Sequence, residues 1–309
     1  MLNRRILRIK AFKVMYSYAV RGGMDSKEAT RLLDESLEAT RSLYLFMLAI
    51  VPYLTAEAAR RNFLGKQKFS ATEEELHPNE KFEKNLLAPL LAEDMDLNKL
   101  LEKRHLSWEG YDVLIREIMD SVQTRDYYRQ YMQNSGTSLA EDCELFCSIF
   151  AEELPPSERL SATLEDMDTL WIDDLEYALS WDCDTLRDLG RGRRWHLPEL
   201  YLSDMKIKQG RSADSDYDFV HKLLTHAIAG YEKYFEKVSS MTPDWDSDRL
   251  FSTDMALIAL CLTEMDFFEQ IPPEVSINEY VEISKFYCSP NSYQYINGIL
   301  DKILKESRA

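Results

Sequence analysis

Apolar residues return every three or four positions through most of this chain, and that spacing predicts helices from end to end. Ile6, Ile9, Phe12, Val14, Tyr16 and Ala19 alternate with Arg4, Arg5, Arg8, Lys10 and Lys13. The first helix is therefore expected to be apolar on one side and strongly basic on another, with Gly22-Gly23 closing it. Ser26-Lys27-Glu28-Ala29 predicts the start of a second helix that carries Leu32, Leu33, Leu37, Leu43, Leu45, Phe46, Leu48 and Ile50 towards Pro52, and residues 53–69 predict another. Residues 70–78 are acidic and unpatterned, as a loop would be. Helical spacing resumes over 80–132, with Trp108, Tyr111, Leu114, Ile115, Ile118 and Met119 at intervals of three and four. Asn134-Ser135-Gly136-Thr137 and Pro155-Pro156 punctuate the next stretch, leaving helices at 138–153 and 158–180. Arginines beside glycines at 187–194, then the polar run Ser212–Asp216, predict a linker near 182–216. The last block predicts helices at 217–239, 246–268, 274–287 and 292–305.

Composition agrees with helix. Only 10 glycines and 10 prolines occur in 309 residues, too few for the frequent turns that sheet-rich folds require. Charge complicates the picture, because 37 basic and 54 acidic side chains leave a net -17. A polyanion is repelled by such a chain as a whole, so a nucleic-acid site has to be a local basic patch. The five cysteines, Cys143, Cys147, Cys183, Cys261 and Cys288, are scattered and never spaced Cys-x-x-Cys, which argues for reduced thiols rather than a disulfide framework. Lys10, Lys13 and Arg21 interrupt the N-terminal apolar run, unlike a signal peptide, and the apolar window Leu43–Leu54 is short for a bilayer. A cytoplasmic protein without a membrane partner is expected.

Catalytic patterns are missing from the sequence. Among the carboxylate runs, Glu152-Glu153 and Asp173-Asp174 have no histidine three or four residues on, and Glu73-Glu74-Glu75 has His77 at that spacing but no second ligand pair beside it. His221 and His226 stand five apart, off the spacing that puts two ligands on one helix face. Neither a glycine-rich phosphate loop nor Gly-x-Ser-x-Gly occurs. The expectation is a protein that is not an enzyme and takes no metal or cofactor.

Two segments at opposite ends of the chain carry a resemblance. One is Asn3-Arg4-Arg5-Ile6-Leu7-Arg8 through Tyr16. The other runs from Trp245-Asp246-Ser247-Asp248-Arg249-Leu250 through Asp254, Ala256, Leu257 and Glu264 to Ile271-Pro272-Pro273-Glu274-Val275-Ser276-Ile277-Asn278-Glu279-Tyr280, ending in Ser292-Tyr293-Gln294-Tyr295-Ile296-Asn297-Gly298. In order and spacing these resemble the NusB family. The residue types also predict local structure by themselves. Pro272-Pro273 stops one element and lets the next helix start at once. Ile277, Tyr280, Val281 and Phe286 are expected to face inward, with Asn278 bonding a neighbouring backbone. Ser292 can cap the last helix, Asn297 is expected to make a specific polar bond, and Gly298 to allow close helix approach.

The resemblance implies an all-α fold, an antiparallel helical bundle of NusB type with a large additional helical region. It implies residues 1–44 and 217–309 as the two parts of that bundle and 45–215 as extra helical material, either an enlargement of the first half or an inserted domain. It implies transcription antitermination through a single-stranded leader or spacer element of ribosomal RNA transcripts, with ribosomal protein S10 as partner and the RNA polymerase elongation complex engaged indirectly. Residue by residue, Arg4, Arg5, Arg8 and Tyr16 match the RNA-contacting first helix, and Asn291, Ser292 and Gln294 match the turn and helix start beside it. The chemistry suits the task, since arginine forks grip phosphate and aromatic rings stack on unpaired bases. The competing reading is a helical protein-interaction adaptor with weakened RNA binding, favoured by the net charge.

Overall fold

The computed structural model describes residues 4–198, 200, 216–241 and 252–307. Asn3, Trp245–Leu250 and most of the 199–215 stretch lie outside the described residues. Among those described, the chain is all-α, with no strand. It divides into two compact units, one formed by Met1–Leu37 with Glu199–Ala309 and the other by Glu38–Pro198.

The first unit joins the two ends of the chain. It holds α1 (Arg4–Arg21), the first half of α2 (Ser26–Leu48), and the four helices that close the sequence: α12 (Asp216–Met241), α13 (Ser252–Phe267), α14 (Pro273–Tyr287) and α15 (Ser292–Ser307). Its centre is α13, where every residue from Asp254 to Glu264 is buried. A helix apolar on all sides has to be surrounded. Here α1, α12, α14 and α15 all pack against it. Pro272 is the N-cap of α14 and Pro273 its first residue, where the missing N–H costs nothing.

The second unit begins within α2, whose residues Leu43–Leu48 are wholly buried. It continues through α3 (Ile50–Lys66), α4 (Glu73–Leu76), α5 (Leu87–Ala92), α6 (Met95–Lys103), α7 (Asp112–Thr124), α8 (Asp126–Gln133), α9 (Leu139–Glu152), α10 (Glu158–Met167), a single 3-10 turn at Thr169–Trp171, and α11 (Leu175–Gly190). Its core is aromatic. Phe46 stacks on Trp108 at 4.3 Å between ring centres and on Trp171 at 5.7 Å, and the Trp108 indole N–H donates to the Phe46 carbonyl. By length and composition Ser26–Lys66 would suffice to cross a membrane, but 72% of its apolar window is buried inside the protein. Core packing accounts for its hydrophobicity.

Several expected boundaries move. The helical pattern over 80–132 is divided among four short helices, because Asp94 caps α6, His105 and Gly110 adopt positive φ, and Arg125 is extended. Residues 182–190, expected as linker, are the last turns of α11. Arginines within and just after these turns are engaged by acids, Arg187 by Glu144 and both Arg191 and Arg193 by Asp188.

Candidate nucleic-acid interface

The α1 sequence suggests a basic side and an apolar side, yet the helix is largely enclosed. Arg8 and Lys10 are buried together with Ile6, Leu7, Ala11, Phe12, Val14 and Met15. Their charges must be answered inside the protein, and for Arg8 the answer is explicit. Its guanidinium donates to both oxygens of Glu264 on α13 at 2.8 and 2.6 Å. The same carboxylate accepts from the hydroxyls of Ser276 (2.7 Å) and Tyr280 (3.1 Å) on α14. Glu264 is fully buried and accepts four hydrogen bonds, about what a carboxylate's lone pairs allow. Burial opposes the positive charge on Arg8, but the Glu264 hydrogen bonds and charge outweigh it and hold its pKa above the usual value. For Tyr280, burial first and the Glu264 charge second push the phenol well up, so it remains a donor. Ser276 and Tyr280, two residues of the resemblance, therefore anchor α14 to α13 and, through Glu264, to α1.

Arg5 lies one turn earlier and nearer water. It donates to Glu279 through Nε at 2.9 Å and Nη2 at 2.7 Å, with its side chain 48% exposed. These bonds hold the Glu279 carboxyl below its usual pKa. Arg4 sits over the Phe219 ring of α12 at 5.0 Å. Along α1, Arg5, Tyr16, Val20 and Arg21 are exposed and Arg4, Ile9, Lys13 and residues 17–19 half-buried; of these, Arg5, Ile9, Lys13, Tyr16 and Val20 form a strip at successive helical turns. Lys13 is not among the contacts that the resemblance implies, although its spacing of eight from Arg5 and three from Tyr16 places it on that face.

Phe12 links this strip to the end of α14. Its ring lies 6.3 Å from Tyr16 and 5.3 Å from Tyr287. The turn before α15 comes directly after. There Asn291 is exposed, Ser292 is buried with its hydroxyl 2.7 Å from that of Ser289, and Gln294 is exposed and donates to the Tyr293 hydroxyl. Ser292 is the first residue of α15. Of the seven residues expected at an RNA site, Arg5, Tyr16, Asn291 and Gln294 are exposed, Arg4 is half-buried, and Arg8 and Ser292 are interior. The two interior residues can act only by positioning the others.

Other expectations for this region are corrected. Phe286 does not face inward but is 81% exposed. Asn278 is exposed rather than bonded to a buried backbone. Asn297 does make a polar bond, to Asp301 at 3.3 Å, at the surface. A Cβ on Gly298 would meet nothing within 4 Å, so no close helix approach explains that glycine. His221 pairs with Asp34 at 2.9 Å, and His226 stacks on Phe267 at 4.0 Å. Among the described residues, no three His, Cys, Asp or Glu side chains gather into a possible metal site.

The charge distribution bears on what this surface can bind. Residues 38–198 hold 18 basic and 31 acidic side chains, a net -13, leaving 19 basic and 23 acidic, a net -4, for the unit that contains α1. Most of the acidity of the chain therefore resides in the second unit.

Among the described residues, fold and surface together define an all-helical protein with a cationic and aromatic strip on one helix of a bundle. The family model described as the NusB family matches residues 192–305. Transcription antitermination protein NusB of Natranaerobius thermophilus is 32% identical over 112 residues, 36% of this chain and 81% of that protein. The proteins of the same name from Methylacidiphilum infernorum and Chloroherpeton thalassium are 39% and 29% identical over 92 and 113 residues. These matches cover 30% and 37% of this chain and 64% and 49% of those relatives. No solved structure matches. The chain belongs to the NusB family, as a long member with a large additional helical region.

Proposed function

We propose that this protein is a cytoplasmic transcription antitermination factor that binds a single-stranded leader or spacer element of ribosomal RNA transcripts together with ribosomal protein S10, and so acts on the RNA polymerase elongation complex indirectly. The observation that carries the reading is the strip of α1 on which Arg5 and Tyr16 are exposed and Lys13 half-buried, joined through Phe12 to the end of α14 and the turn bearing Asn291 and Gln294. Guanidinium and ammonium groups neutralise phosphates, and Tyr16 offers a ring for an unstacked base. Arg4 contributes from the edge of the strip, while Arg8 and Ser292 hold α1 and α15 in register. The small net charge of this unit, against that of residues 38–198, removes the main physical objection to RNA binding. No covalent chemistry is required of any residue, in keeping with the names of the relatives.

The test is fluorescence anisotropy with a short single-stranded RNA from the organism's own ribosomal leader, with and without its S10 protein, over a salt series. Binding strengthened by S10 is expected. In Arg5→Ala/Lys13→Ala the slope of log K against log salt should fall by about 0.7 per lost phosphate contact. Absence of RNA binding with S10 present would refute the proposal. The acidic stretch from α10 to the start of α11, with Glu158, Glu165, Asp166, Asp173 and Glu176 exposed, favours a second reading as a protein adaptor. S10 association without any RNA affinity would support that one.

A further inference from the structure

Helices α9 and α11 of the second unit pack antiparallel at close range. Ala140 meets Gly190, Glu144 meets Arg187, and Cys147 meets Cys183. The Gly190 position approaches so near that an added Cβ would lie 3.0 Å from the Ala140 Cα. At the cysteine pair each sulfur reaches the other residue's backbone carbonyl, Cys147 Sγ to the Cys183 oxygen at 3.6 Å and Cys183 Sγ to the Cys147 oxygen at 3.8 Å. Small side chains are all that close packing demands, and alanine or glycine meets that demand elsewhere along the pair. Two facing sulfurs are a further feature.

Both cysteines also line a cavity of about 360 Å³, together with Phe150, Pro155, Leu179 and Arg187. Its rim includes the exposed Glu176 and Ser180, so the buried thiols can be reached from solvent through a small apolar chamber. Hydrogen bonding from Cys147 first, and the Arg187 charge after it, hold the Cys183 thiol below its usual pKa against the opposing effect of burial. Cys147 is pushed the other way, by its bond to Cys183 and by burial. Cys183 is also the more accessible sulfur, its residue 8% exposed against 2% for Cys147, which suits Cys183 to attack and Cys147 to resolve.

We propose that Cys147 and Cys183 are a redox-active dithiol that closes to an interhelical disulfide when a small neutral or cationic disulfide enters this cavity. The Cys183 thiolate attacks one sulfur of the entering disulfide, and the departing thiolate takes up a proton. Cys147 then loses its proton, attacks the Cys183 sulfur of the mixed disulfide, and expels the second thiol. Two protein thiols are oxidised and one small disulfide is reduced to two thiols. Glu176 lines the cavity, and the charge of Arg187 beside it is already engaged by Glu144, so anionic reagents are disfavoured.

The experiment uses the full chain in 2-hydroxyethyl disulfide and, separately, cystamine, followed by alkylation and peptide mapping. The expected result is a single disulfide joining Cys147 to Cys183, reversed by dithiothreitol and accompanied by a higher thermal midpoint, because a bridge across the intervening residues restricts the unfolded chain. Cys147→Ser should stop at a mixed disulfide on Cys183, and Cys183→Ser should slow adduct formation at Cys147 at least tenfold. The native chain carries the deciding measurement, so the outcome stands even if a variant misfolds. Persistent mixed disulfides on the native chain, a bridge from Cys143, or unreacted thiols at both positions would each overturn the proposal.

Discussion

Arg8 and Glu264 stand 256 residues apart in sequence and meet through two parallel hydrogen bonds in the interior of the first unit. Removing one partner leaves the other charged, buried and without its main neighbour. Glu264→Ala is expected to cost about 3–5 kcal/mol of unfolding free energy. Replacing both members, as Arg8→Met/Glu264→Leu, should cost less than the single change, because no orphaned charge remains. Urea denaturation of the three proteins checks both statements. RNA binding by the double variant would further separate a positioning role for Arg8 from direct contact.

The buried Asp182 of α11 has no hydrogen-bond partner on either oxygen. Burial first, and Cys183 next, raise its pKa well above the usual carboxyl value. A raised folded pKa means that stability is fully present below the unfolded pKa, about 4, and is lost as pH rises through the folded value. Asp182→Asn removes the ionisation. Its stability relative to the native chain should be near zero at pH 4 and rise to about 1–3 kcal/mol in its favour at alkaline pH. Thermal melts across pH 4–9 would show the divergence, and parallel curves would refute it.

Gly298 lies within α15 with open space where a side chain would be. Gly298→Ala should stabilise the protein by roughly 0.5–1 kcal/mol, through the helix propensity of alanine and the smaller entropy of its unfolded state. Anisotropy on the same variant asks whether the bare backbone is kept for close contact with RNA. A stable variant with weakened RNA binding is the outcome expected if α15 contributes to that surface.

Gly190 gives the opposite sign. Its missing Cβ is where the Ala140 backbone passes, and backbone cannot swing aside as a flexible side chain can. Gly190→Ala should destabilise by about 1–3 kcal/mol despite the gain in helix propensity. Denaturation midpoints of the two alanine variants, compared directly, provide the measurement.

The contrast between these glycines indicates what sequence could convey. Helix existence was legible, since the spacing of apolar residues and the Pro272-Pro273 junction require only local information. Facing was harder. Arg8 sits among the arginines of a basic helix and nothing adjacent marks it as interior, because its partner Glu264 comes near only after folding. Phe286 is as apolar as Tyr280 yet lies at the surface, while Glu264 reads as an ordinary helix glutamate. At the candidate site, exposure of Arg5, Tyr16, Asn291 and Gln294 and burial of Arg8 and Ser292 depend on how α1, α13, α14 and α15 meet. Residue type alone does not encode that arrangement.

A unit assembled from both ends of its chain has a consequence for synthesis. At roughly 5–20 residues per second, the interval between the emergence of Arg8 and that of Glu264 is on the order of 10–50 s. Throughout that time α1 has no core to enter, whereas Glu38–Pro198 is complete once Pro198 has emerged, before Glu264 is made. The nascent chain therefore carries a cationic, apolar N-terminal helix beside ribosomal RNA until its last helices arrive. Whatever covers the apolar side of that helix during translation has to leave before the first unit can close.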